Sequence, residues 1–316
     1  MNGKISGRLF LSIVVIYITV ELILSFTPLL DGLDVIGSMI ISELIIIVPS
    51  LVAFYFSKER FTDVFGLHRI KPVVIPLCVL FTLLCMPLCT CLNLFTLFFT
   101  SNRAAYIFNE LSGGGVLGMA IFAAVAAPVF EELTFRGVIY SGIRKSGSAM
   151  QAIVWSAVLF GLFHMNVNQM FYAAALGVFF GALREVTGSV LPSVICHVSV
   201  NGGGVLTALL NSGSSDGTTE LATQAQSVLS TDLMVQALSI YLVMAFAGVG
   251  LALCVLALIA RKQGGIVKFK EILTQRIATR GRIAGPSLIV AVALCSLMIT
   301  FVLVWPWVRE AISASS

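Results

Sequence analysis

Charge is what this 316-residue chain has least of: Asp, Glu, Lys and Arg make up 11% of it. A soluble domain carries about 25%, whereas 58% of this chain is hydrophobic. That excludes a water-soluble core and points to an all-α, polytopic membrane bundle. Histidine is scarce, with only His68, His164 and His197. No internal repeat or low-complexity tract is present, so the repeated architecture common in transporters is not expected. No Lys/Arg groove with interleaved aromatics is present, so nucleic acid is not an expected partner. The first apolar run follows Lys4 and Arg8 and has no small-residue cleavage site, and is read as a retained span. Seven cysteines fall in apolar runs, and Cys89-Thr90-Cys91 turns its thiols to different helix faces, a poor chelate. They are expected to act as small buried hydrophobes.

What is present is a series of apolar stretches, at about 9–29, 36–57, 73–99, 115–142, 149–165, 168–184, 188–210, 233–260 and 286–307. Nine spans with the N-terminus cytoplasmic place 16 of the 19 basic residues on one side. These are Lys4 and Arg8; Lys58, Arg60, Arg69 and Lys71; Arg144 and Lys145; Arg184; and Arg261, Lys262, Lys268, Lys270, Arg276, Arg280 and Arg282. The opposite loops hold Asp31, Asp34, Glu110, Asp216, Glu220 and Asp232. The positive-inside bias then implies a multi-pass plasma-membrane protein with its C-terminus outside. The bilayer is its surroundings; the sequence leaves the oligomeric state open. Residues 211–232 form a polar outer loop and 261–285 a basic inner one. Within the latter, 267–276 fits a short amphipathic helix on the inner surface, or else a solvated loop. Gly114/Gly118 and Gly177/Gly181 have small-xxx-small spacing, expected to pack helices of this chain together.

Ionisable groups inside apolar helices are costly and mark function. Glu131, Glu132 and Arg136 lie late in the helix expected to begin near Gly114. Glu132 and Arg136 are i,i+4 and meet on one face. Glu131 points about 100° away from Glu132 and is expected to face another partner. Pro128 is expected to disturb the helix just before them. His197 and Asn201 are also i,i+4, and Asn201 opens the run Gly202-Gly203-Gly204. Counting rise from the inner turns puts Glu131, His164, His197 and Asn201 in one layer. Such a set suits peptide hydrolysis: a carboxylate base for water, with imidazole and amide donors for the oxyanion. His68, in a basic inner loop, is assigned a structural role.

Glu131-Glu132-x-x-x-Arg136, Phe160-x-x-x-His164 and His197-x-x-x-Asn201 together resemble the signature motifs of a known family. It is the CAAX-protease and bacteriocin-processing family of intramembrane endopeptidases, which includes the Rce1-type prenyl-protein endopeptidases. The resemblance covers about 110–212, which would make this the catalytic core between N-terminal helices 1–109 and C-terminal helices 213–316. It implies that Glu131 activates water with His164 assisting, that His197 and Asn201 hold the oxyanion, and that Glu132 and Arg136 support the site. A membrane protein or lipidated peptide would be the substrate, and no cofactor would be needed. Two alternatives stay open. Glu131, His164 and His197 also make up the ligand set of a catalytic zinc site. Glu21 and Glu43, at one depth in the first two spans, would suit a proton-coupled carrier, the rival class that also includes a non-catalytic adaptor.

Overall fold

Long runs apolar on every side leave the backbone no partner in lipid but itself, so the chain is helical wherever it crosses. The computed structural model describes residues 2–26, 35–100, 120–212, 231–274 and 285–315. It contains α1 (Gly3–Phe26), α2 (Val35–Ser57), the short α3 (Phe61–Phe65) and α4 (Val74–Thr96). A helical rod, α5, covers 120–146, followed by α6 (Ala149–Phe163), α7 (Val167–Thr187) and α8 (Leu191–Ser212). The chain continues with α9 (Thr231–Gln263), α10 (Ile266–Thr274) and α11 (Pro286–Ser315). Gly114, Gly118 and most of the 211–232 loop lie outside the described residues.

Among the described residues, six helices are long and apolar enough to cross a membrane: α1, α2, α4, α7, α9 and α11. The protein is therefore an all-α polytopic bundle. Of the other three helices of the nine-span layout, α8 is a continuous α-helix of 22 residues, whereas α5 and α6 depart from a regular span. The 15 residues of α6 reach about 22 Å, short of a hydrocarbon core of about 30 Å. In α5, π-helical turns interrupt the α-helix. Within its most apolar window α7 is 56% buried, against 22–33% for the other five, which makes it the central helix. Exposed Leu83, Val243, Phe246 and Leu297 form part of the outer apolar surface of α4, α9 and α11.

Local signals set the boundaries around the centre. Ser148 and Gln151 form a reciprocal capping box that starts α6. A tight turn separates the two short spans placed at 149–165 and 168–184. Met165 turns the chain at φ 52°, and Asn166 caps α7 by accepting from the Gln169 amide at 2.8 Å. Gly188, at φ 69°, ends α7 in the left-handed conformation that favours glycine. The α6–α7 pair closes over glycine. A Cβ on Gly177 would lie 2.9 Å from the Ala157 backbone, and one on Gly181 3.2 Å from that of Ile153. The Gly177/Gly181 spacing thus serves contact within this chain. Five cysteines are buried and Cys89 is half-buried, but Cys254 is exposed on α9, a correction to the expectation of burial for all seven. His68 is held by its backbone, whose carbonyl accepts from Ser189 Oγ at 2.6 Å.

Candidate active site

The rod α5 carries the site, and its irregularity has a chemical origin. The Ala127 amide bonds the Phe122 carbonyl, an i→i+5 step, and the next residue, Pro128, has no N–H. The Ala123 carbonyl is thereby left without a backbone donor. It accepts instead from Asn201 Nδ2 on α8, at 3.1 Å. The disturbance expected at Pro128 takes the form of a π-helical turn, Phe122–Ala126, that ends two residues before it. A second π-helical segment, Leu133–Ile139, follows directly after the two glutamates. Such widened turns recur at functional sites.

Between these segments, Glu131 and Glu132 converge on one ring. His197 Nδ1 lies 3.1 Å from Glu132 Oε1, and His197 Nε2 lies 3.5 Å from Glu131 Oε2. This corrects the expectation that the two carboxylates would serve different partners. Their directions do differ, but an imidazole offers a nitrogen to each. Access separates them: the Glu131 side chain is 14% exposed and that of Glu132 is sealed at 0%. Arg136 Nη1 reaches the same Glu132 Oε1 at 2.8 Å, the expected i,i+4 pair, with both side chains fully buried.

Aromatic rings complete the enclosure. The Arg136 guanidinium lies 4.3 Å from the Phe160 ring centre and 5.4 Å from that of Phe180. Its Nε and Nη2 are buried without hydrogen-bond partners, so ring faces compensate in their place. Gly177 leaves the space, since a Cβ there would stand 2.8 Å from Nη2. Phe160 also touches both histidines edge-on, His164 at 4.9 Å and His197 at 5.7 Å between ring centres. His164 Nδ1 lies 2.9 Å from the Phe160 carbonyl. A carbonyl only accepts, so Nδ1 carries the proton and the Nε2 lone pair is open.

The structure thus gathers Glu131, Glu132, Arg136, His164 and His197 around Phe160. Asn201 stands apart, with one amide hydrogen committed to Ala123 and, among the described residues, one left over. Among the described residues, no three His, Cys, Asp or Glu side chains are grouped to hold a metal ion, so Glu131, His164 and His197 are not a preformed ligand set.

One neighbour was placed elsewhere by the sequence reading. Ser50 Oγ donates to Thr134 Oγ1 at 3.1 Å, and Thr134 Oγ1 to the Ile46 carbonyl at 3.4 Å. One turn before Ile46 and Thr134 lie Glu43 and Glu131, which interact electrostatically. Glu43 is buried and its Oε2 has no hydrogen-bond partner, while Glu21 is exposed. The spacing of Glu43, Ile46 and Ser50 along α2 was the signal available, but only α2–α5 packing gives it meaning. Phe180 likewise had no chemical signature of its own, and the spacing of Gly177 signalled only helix packing.

Residues 113–203, which include all seven motif residues, match the family model described as Type II CAAX prenyl endopeptidase Rce1-like. Over 83 residues the chain is 25% identical to a curated protein of Bacillus subtilis (strain 168), "Putative membrane peptidase YdiL". That alignment covers 26% of this chain and 34% of the relative, so the chain spans about a third of the length of the protein it matches. No solved structure matches the chain.

Proposed function

We propose that the protein is an intramembrane endopeptidase that hydrolyses a peptide bond in a membrane-embedded or lipid-tethered substrate. The observation that carries this reading is His197 held between a sealed carboxylate, Glu132, and a partly open one, Glu131. Glu131 takes a proton from water, and the resulting hydroxide attacks the scissile carbonyl carbon. The open Nε2 of His164 orients that water. The oxyanion meets the uncommitted amide hydrogen of Asn201, together with His197 Nε2–H when the ring is doubly protonated. Collapse of the intermediate breaks the C–N bond, and the proton held by Glu131 passes to the leaving amine. Glu132, fixed by Arg136, holds Nδ1 and so sets the ring's orientation. The catalytic core is 110–212, with 1–109 and 213–316 as flanking helices.

The test is purified protein in lipid with a panel of lipidated and unlipidated peptides in ¹⁸O-water. One ¹⁸O in the new carboxylate is expected, with no covalent peptide adduct. A carrier, the reading that Glu43 beside Glu131 would favour, would move protons or solute across a vesicle and leave every peptide intact.

The same proposal sets the topology at nine spans, with α5, α6 and α8 crossing alongside the six longer helices and the N-terminus cytoplasmic. Single cysteines in a background free of native ones check it with an impermeant reagent. Positions 215–225 are expected to label from outside intact cells, and 268–274 only after lysis. The reverse pattern refutes the layout.

A further inference from the structure

At the end of α9, three cations from two distant segments line one groove of about 480 Å³: Lys71, Arg261 and Lys262, with Leu258 as its apolar wall. Their meeting is built. The Gln263 side chain accepts from the Lys71 amide at 3.1 Å and donates to the Arg69 carbonyl at 3.1 Å, stapling the α4 approach to α9. Among the described residues, none of the three cationic side chains has a carboxylate or hydrogen-bond partner. Arg261 and Lys262 alone would be accounted for by the negative end of the α9 dipole. Lys71 is not, because the staple holds it against two like charges. Topological bias explains the sign of these residues but not their convergence.

Position narrows the anion. Lys71 lies three residues before α4 begins, and Arg261 and Lys262 occupy the last turn of α9. Both helices are candidate spans, so the groove sits where hydrocarbon gives way to headgroups. Leu258, one turn back and 39% exposed, faces the depth at which an acyl chain begins. Nearby, α10 packs Ile266, Phe269 and Ile272 against the core and exposes Val267, Lys268, Lys270 and Leu273, as an interfacial helix does. We infer that this groove binds the phosphate headgroup of an anionic glycerophospholipid, with Lys71, Arg261 and Lys262 on the phosphate and the acyl chain along Leu258. The inference is independent of the proteolytic reading.

The experiment uses the full chain in detergent and records lipid retention by native mass spectrometry and the Tm. The probes are phosphatidylglycerol, phosphatidylcholine with the same acyl chains, and glycerol phosphate. Phosphatidylglycerol is expected to be retained and to raise the Tm, with phosphatidylcholine and glycerol phosphate well behind. Basic groups near an anionic surface are worth roughly 5-fold each in binding, so Lys71→Gln with Arg261→Gln and Lys262→Gln should lose roughly 100-fold. Removing the exposed Lys4, Arg8 and Arg60 in the same way should leave the preference intact. If the first triple variant does not fold, Lys71→Gln alone keeps the backbone staple and should lose roughly 5-fold. Equal loss in the control triple, or no lipid preference in wild type, overturns the site. Glycerol phosphate binding as tightly as the lipid assigns the groove to a soluble anion instead.

Discussion

Glu131→Gln is expected to abolish peptide cleavage while leaving the protein folded. The amide has nearly the shape of the carboxylate but cannot accept the proton of the attacking water. General-base catalysis contributes about 10²- to 10⁴-fold, so residual turnover below 1% is the expected order. Folding should survive because Glu131 is the partly open carboxylate and holds His197 at 3.5 Å, looser than the 3.1 Å contact to Glu132. His197 keeps its Glu132 contact in the variant. Yield, Tm and cleavage rate are measured on the same preparation. Wild-type cleavage by folded Glu131→Gln removes Glu131 as the base. Loss of folded protein together with activity would instead place Glu131 among the supporting residues.

Arg136→Ala is expected to have the opposite profile, with little folded protein to assay. Glu132 and Arg136 are both fully buried and 2.8 Å apart. Removing one partner of a buried pair costs about 3–5 kcal/mol, because the other charge is left uncompensated. The guanidinium's contact with the Phe160 ring is lost as well. Against a total stability of about 5–15 kcal/mol, such a loss is severe. Arg136→Met combined with Glu132→Gln removes both charges at similar volume and should recover much of the folded yield. Gln Oε1 can still accept from His197 Nδ1 in that double variant, so any remaining loss of activity isolates the contribution of charge to ring positioning. Membrane yield and Tm in detergent decide the matter. A wild-type Tm for Arg136→Ala would sink the assignment of the pair as the support of the site.

Much of this protein follows from local periodicity. An 11% charge content restricts the chain to membrane helices. The i,i+4 spacing of Glu132 and Arg136 predicts their pair, because that relation depends on one helix alone. The Gly177/Gly181 spacing announces a close approach, and three apolar helices bearing Glu131, His164 and His197 mark out the site. Tertiary structure decided what depends on phase and register between helices. A reckoning of 100° per residue separated Glu131 from Glu132, yet both meet His197, because the ring presents two nitrogens between π-widened turns. The Ala123 carbonyl is stranded by Pro128 and taken up by Asn201, seventy-eight positions away. Glu43 joins Glu131 only because Ser50 and Thr134 fix how α2 lies along α5. Side-chain identity along one helix is readable from its own repeat. Which face meets which neighbour, and at what height, is determined only when the helices pack.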